Sequence, residues 1–466
     1  MKIPVVILVF SFLYLLIVLF SSSFPMFWDM GYVSRISNLI YENHFSSVIF
    51  SNADNGTPPL YSLYLAGVWA VLGKSLMSCH LAILPFVLAT VYQFYNFAKR
   101  FFSGLTIYFA LALLLIEPTM ATQTILAGCD IVVCFLFLCA LNCIMDNKRL
   151  WLAIAMMFLP LLNSRGFSYV VALFLIDIFI NRSEYSGIKK IFTGIVPYLP
   201  AFFLCLGWLF YHYRVAGWIA VSDGRETFHH VKNLTGILRN FTFILWKIVD
   251  FGRISLYLFL VFVFFKFWKV NDRAGRQLFI ILLFTILPYI IFFLPLSYPV
   301  SHRYFMVTNM IAIVLFAYSI GFIKIRIVRY VISVAIVISL LAGNFIQYPE
   351  RFGNGWDSSL KVIPFFNLKE QLDQYLTASH IAPADVGAEF PMNFDRHDCN
   401  PASDHFKFTD LDTKPFNYFP YIVQSNICNT FTPAEIAALN GRWQLVTELR
   451  SWPVYIKLFK NPVKAE

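Results

Sequence analysis

The chain of 466 residues is 59% hydrophobic and only 13% charged, with 51 phenylalanines and a formal net charge of +10; its mean hydropathy is +0.66. Soluble domains carry roughly a quarter charged residues, so a polytopic membrane protein is expected and a soluble domain on a single anchor is excluded. The basic residues form short clusters between apolar runs with no dense basic and aromatic patch, which sets nucleic acid aside and fits the preference of Lys and Arg for cytoplasmic loops.

Taken in order, apolar segments predict about eleven spans, at 3–20, 79–98, 104–117, 130–145, 150–163, 166–181, 191–212, 241–265, 277–295, 304–322 and 328–344. The first, followed by Ser21-Ser22-Ser23, resembles a signal peptide but is read as an uncleaved span, because a large membrane domain follows. With Lys2 inside, Lys99/Arg100, Lys148/Arg149, Arg182/Lys189/Lys190, Lys266/Lys269/Arg273/Arg276 and Lys324/Arg326/Arg329 all fall on the cytoplasmic side. That parity requires residues 58–73 not to cross, so they are read as a juxtamembrane or re-entrant helix started by Pro58-Pro59. It leaves the 21–78 loop, 118–129, the turn Asn163-Ser164-Arg165-Gly166, 213–240 and Leu296–Arg303 on the external face. Loops gathered on one face of a rigid scaffold are where sites are built.

The expected fold is therefore mostly α: a transmembrane helical bundle over 1–344, with its catalytic loop at 21–78, and a C-terminal external α/β or α+β domain over 345–466. In the latter, Leu368–Ser379 and Pro433–Leu439 predict helices, the second capped by Thr432, and Val454–Phe459 predicts a strand. The eight cysteines have no metal-ligand spacing. Cys399 and Cys428 lie in the polar C-terminal region, where an oxidising compartment would let them pair.

Asp29 follows Phe27-Trp28 just past the first span, a partly desolvated position suited to a general base or, equally, to starting the next helix. Val33, Ile36, Leu39 and Ile40 form an amphipathic stripe expected to lie on the membrane, with Arg35 elsewhere on that helix. Asp54 sits in the turn sequence Asn52–Thr57, which explains it better than catalysis. Asp130 opens an apolar run, and Glu117 precedes Pro118; each is a helix-start acid or a functional one. Arg165 and Arg303 begin spans and suit phosphate binding or head-group contact; His302 and Tyr298 beside Arg303 tip it toward function. His80 is read as an interfacial helix-start residue and His229-His230 as solvated loop. A divalent ion held by Asp29 and a neighbour is left open.

Several pieces form an ordered pattern: Asp29, then Gly56-Thr57-Pro58-Pro59-Leu60-Tyr61, Leu72-Gly73-Lys74-Ser75 and His80. Pro118 and Asp130, Ser164-Arg165-Gly166 and Arg303-Tyr304 follow. This set resembles the GT-C superfamily of membrane glycosyltransferases over residues 1–330, and is most similar to the family 39 protein O-mannosyltransferase and lipid A aminoarabinose transferase group. Thr57 departs from the His or Lys frequent in relatives, and Arg165 from their Lys. The resemblance implies inverting transfer of a hexosyl or pentosyl group from a polyprenyl- or dolichyl-phosphate sugar to a glycan, lipid or protein acceptor at the external face. It implies Asp29 as base, Asp130 as an orienting acid, and Arg165, Arg303 and Arg35 as contacts of the donor phosphate. Asp54, His302 and Tyr298 would be acceptor or loop contacts. The compartment implied is the bacterial inner membrane with a periplasmic site, the endoplasmic reticulum being the alternative. A transporter or flippase is the rival class, although its charges would sit near the bilayer midplane.

Overall fold

A computed structural model describes residues 4–462, apart from 52, 186, 220–230, 232, 271, 297–299, 350–351 and 429–430. The first half is helical throughout: α1 (Val5–Phe20), α2 (Asp29–Glu42), α3 (Leu60–Leu72), α4 (Leu76–Ala98), α5 (Leu105–Ile116), α6 (Pro118–Ile125), α7 (Asp130–Met145), α8 (Arg149–Leu162) and α9 (Gly166–Ile180). Then come α10 (Ile188–Ile195), α11 (Leu199–Ala216), α12 (Leu234–Val249), α13 (Ile254–Val270), α14 (Arg273–Phe293), α15 (Met306–Ile320) and α16 (Arg326–Gly343). The C-terminal domain holds α17 (Ile363–Ala378), β1 (Val386–Ala388), α18 (Arg396–Cys399), β2 (Thr409–Asp410), β3 (Tyr421–Ser425), α19 (Pro433–Arg442), β4 (Gln444–Ser451) and β5 (Val454–Lys460).

Five described helices are individually long and apolar enough to cross a bilayer, or seven if each of two bent pairs is one span. This is a multi-pass membrane protein. The apolar helices α1, α3, α7, α8 and α9 have 13–16 residues, about 20–24 Å against a hydrocarbon core of ~30 Å. The expected span count is reached only if α1, α7, α8 and α9 also cross. At the centre, α15 is buried along almost its whole length, whereas α11, α13 and α16 turn Phe, Leu, Ile and Val outward, as lipid-facing helices do.

Two expectations fail at bends. The stretch 241–265 is not one straight helix: α12 and α13 meet at 99°. The break is local, because Phe251 (φ 53°) and Gly252 (φ 78°) both take left-handed backbone. A Cβ on Gly252 would lie 1.8 Å from the Ser339 carbonyl oxygen, so α16 packs backbone against this turn. Likewise 118–129 is not an open loop. Its first part is α6, tilted 60° from α5, with Pro118 at the first helical position and Glu117 accepting from the Met120 N–H (2.6 Å). A buried ion pair joins the two bends, since Arg253 Nε lies 2.6 Å from Glu117 Oε1 and its guanidinium also bonds Thr119.

The apolar stripe of α2 is also corrected. Ile36 and Ile40 are buried against Ala53 and Ala66, so this face packs on α3 and the preceding loop in place of lying on lipid. Pro59 does cap α3, as the Pro pair predicts.

In the C-terminal domain, five strands run in the order β2-β1-β3-β5-β4. β1 lies parallel to both neighbours, while β3, β5 and β4 are antiparallel. The expected helices and closing strand are present with longer bounds, and Thr432 forms a capping box with Glu435. The domain's core of Trp356, Leu368, Leu372, Val423, Ile456 and Leu458 also contains Phe27 and Leu126 from the bundle. Its hydrophobic interior is therefore completed by the chain just before α2 and just after α6. Cys428 is buried in that core and Cys399 lies elsewhere in the domain; both are free thiols, so the pairing that the sequence left open is not made.

Removing Arg253 would strand Glu117 as an unpaired buried charge, which costs about 3–5 kcal/mol. Arg253→Met is expected to lower the thermal unfolding midpoint of the purified protein clearly, while Arg253→Lys lowers it less.

Candidate active site

Arg303 lies in the 3₁₀ turn 302–305 that leads into α15, and its side chain is only 4% exposed. Three carboxylates from three separate parts of the chain surround its guanidinium. Asp29, the first residue of α2, accepts a hydrogen bond from Nη2. Asp130, the first residue of α7, brings Oδ2 to 3.3 Å from Nη1. Asp357, in the turn that enters the C-terminal domain, brings Oδ2 to 2.8 Å from Nε. The latter two are ion pairs without hydrogen-bond alignment, and Asp130 Oδ2 is a buried acceptor with no donor among the described residues. Arg165, the residue capping α9, donates from Nη2 to Asp130 Oδ1 (3.1 Å). Its guanidinium carbon stands 3.6 Å from the centroid of the Tyr304 ring.

Local structure explains the convergence. Asp29 and Asp130 both open helices, where the positive end of the helix dipole favours a carboxylate. Neither is a side-chain cap; what fills their valence is arginine. Three carboxylates against two guanidinium groups leave an excess of one negative charge. Asp130, Asp357, Arg165 and Arg303 are buried or nearly so, but the Asp29 side chain is 43% exposed. The network thus opens to the outside through Asp29. Burial pushes the Asp357 carboxyl above its usual range, against the pull of Arg303.

The other expected residues lie elsewhere. Arg35, on α2, faces Asp398 of α18. Asp54 holds its turn, accepting from the Gly56 N–H (2.9 Å), and pairs with His212 of α11 (2.8 Å). His302 is fully buried and bonded to Asp250 (2.7 Å), so it presents nothing to a ligand. Glu117 is the helix cap and Arg253 partner described above. His80 lies near the start of α4 and is buried in protein, 3.0 Å from the Phe24 carbonyl through Nε2. Tyr298, His229 and His230 lie outside the described residues.

Sequence reading missed Asp357, whose only signal is an acid within the turn-like Asn354-Gly355-Trp356-Asp357-Ser358. It also missed Asp250 and Arg253, hidden inside what reads as one apolar span. Among the described residues no group of three or more His, Cys, Asp or Glu is arranged to hold a metal ion. The place a cation would take between the carboxylates is filled by the guanidinium of Arg303, so these residues do not fit one.

No family model and no curated protein matches the sequence. Among solved structures, the chain is similar to ArnT from Cupriavidus metallidurans in the apo state, with a TM-score of 0.53 and 12% identity over 97% of each chain. The chain shares the fold of that protein. At this identity the likeness is one of fold, and it covers the C-terminal domain as well as the bundle that the motifs resemble.

A cavity of about 890 Å³ lies beside the network, between the chain at 23–28 and α17. Phe24, Trp28 and Phe366 give it an aromatic wall, and Lys369 and Arg396 add charge. Trp28 places this wall one residue from Asp29.

At the far edge of α2, burial pushes the Asp398 carboxyl up to about 6, while Arg35 pulls it down. A folded-state value above the unfolded one means that ionising Asp398 opposes folding, so its contribution falls as pH rises from about 4 to about 6. Asp398→Asn should raise the unfolding midpoint near pH 7.5, with the gain closing near pH 4. Thermal melts at both pH values check this.

Proposed function

We propose that the chain is an integral-membrane glycosyltransferase that moves a sugar from a polyprenyl-phosphate donor to an acceptor hydroxyl of a glycan, lipid or protein. The observation that carries this reading is the single exposed carboxylate, Asp29, at the mouth of an otherwise buried network of acids and arginines. The shared fold supports it.

Asp29 is the base. Arg303 bonds Oδ2, leaving Oδ1 to take the proton of the acceptor hydroxyl. The hydroxyl oxygen then attacks the anomeric carbon from the face opposite the phosphate, the bond from that carbon to the phosphate oxygen breaks, and lipid phosphate departs with inversion. Asp130, buried behind the base, orients the arginines that back it: Oδ1 accepts from Arg165 and Oδ2 faces Arg303. Arg165 counters the charge that grows on the leaving phosphate. It is better placed for this than Arg303, whose nitrogens already face three carboxylates. Arg303 lends charge and holds the base. Arg35, turned toward Asp398, has no part in the step.

The network sits at the N-terminal ends of α7 and α15, whereas Lys148/Arg149 and Lys324 follow their C-terminal ends. With those basic residues inside, the site faces outward, in a bacterial inner membrane toward the periplasm. The donor's lipid tail occupies the apolar surface between spans.

Purified protein in lipid, given lipid-linked sugars and a crude envelope acceptor, should release polyprenyl phosphate. Asp29→Asn should lower that turnover by about 10²–10⁴-fold, and activity equal to wild type would remove Asp29 from its role. Arg165→Ala should lower kcat by about 10²-fold, with part restored in Arg165→Lys. An unchanged kcat in Arg165→Ala would move the phosphate contact elsewhere.

A further inference from the structure

A planar guanidinium presents distinct edges, and Arg303 gives one nitrogen to each acid: Nη2 to Asp29, Nη1 to Asp130 and Nε to Asp357. Asp29 and Asp130 belong to the reaction proposed above. Asp357 does not. It is 2% exposed as a residue, it reaches no opening, and nothing in the transfer step calls for a third carboxylate. Its fixing is nonetheless elaborate. Ser301 donates to both its oxygens (3.1 and 3.3 Å) and Ser358 donates to Oδ1 (3.0 Å). Gln123 of α6 donates to its backbone carbonyl (2.6 Å). The neighbouring Trp356 is fully buried in the C-terminal core and donates to the Asn426 carbonyl (2.9 Å). Asp357 is thus tied on one side to the bundle and on the other to the sheet domain.

We propose that Asp357 is a positioning residue: by holding the Nε edge of Arg303 it aims Nη2 at Asp29, and so makes the readiness of the base depend on the seating of the C-terminal domain. The inference rests on Asp29 being the base of the proposed transfer. Without a partner at Nε, the Arg303 side chain can slide toward Asp130 or Asp29 and the geometry of the Asp29 hydrogen bond is no longer defined. The charges around the pair are known: Asp29 is faced by Arg303, Asp130 and Cys129, with Arg165 behind Asp130, and Asp357 is faced by Arg303 and by Lys247 of α12. Replacing Asp357 by neutral Asn leaves the Nε edge of Arg303 without its counter-charge and loosens the bond from Nη2 to Asp29.

The test uses the full chain in lipid, as wild type, Asp357→Asn and Asp357→Glu. Difference infrared spectra, with Asp29→Asn as the subtraction, follow the carboxylate stretch of Asp29, which reports its hydrogen bond to Arg303 with or without turnover. In Asp357→Asn that band should shift and broaden as the bond from Nη2 loosens. Turnover should fall about tenfold in kcat, with KM for the donor within about twofold, and Asp357→Glu should restore part of both. An unchanged Asp29 band together with an unchanged kcat in folded Asp357→Asn overturns the proposal, because a merely structural ion pair would lower stability and leave the Arg303–Asp29 hydrogen bond as it is. If wild type releases no polyprenyl phosphate from any donor, the transferase reading fails, and the infrared band still decides whether Asp357 controls how Arg303 holds Asp29.

Discussion

The structure depends on one buried cation. A guanidinium removed from water carries a desolvation penalty of several kcal/mol that only well-placed partners offset. Arg303 meets that condition with three carboxylates drawn from α2, α7 and the turn entering the C-terminal domain. Such a cluster contributes little net stability compared with an apolar core of the same shape. What it secures is geometry, because segments hundreds of residues apart must arrive together for the charge to be balanced. The one carboxylate left partly in water, Asp29, is then held against a rigid, charged backing and open to a substrate.

The two bends make that convergence feasible. Irregular backbone at membrane depth is tolerated only where protein or water satisfies its polar groups. At the α5–α6 bend Glu117 caps α6, and at the α12–α13 bend Asp250 accepts from its neighbour's N–H (2.7 Å) and from His302. The Glu117–Arg253 pair then joins the bends to each other. The result is a platform on which the chain leaving α16 is seated: Gln123 bonds the Asp357 carbonyl, and Lys247 reaches the Gly353 carbonyl (3.3 Å). Phe27 and Leu126 complete the sheet domain's core from below. The C-terminal domain is a continuation of the bundle's packing, which is why a residue inside it can touch the candidate site.

Much of this was legible in the chain. The charge deficit fixed the class. Asp29, Asp130, Arg165 and Arg303 were singled out because an ionisable side chain at the start of an apolar run carries a desolvation penalty unless it is partnered or used. Those four do lie together. Arg35, Asp54 and His302 were drawn in by proximity in sequence, and the fold sends each to a different partner. The α2 stripe suggests a membrane-facing surface and instead packs on protein, because amphipathic periodicity shows that one face is buried and not what buries it.

The sequence by itself determined a helical multi-pass membrane protein, a polar loop after the first span, a sheet-bearing C-terminal domain, and the order of acids and arginines that resembles the GT-C pattern. These follow from composition, periodicity and helix-end chemistry, which are local. Only the tertiary structure decided that Asp357 joins Arg303, that Glu117 pairs with Arg253, and that two apolar stretches bend. Each of these is a pairing between distant segments, set by where a buried charge finds its counterion, and no local pattern encodes the partner.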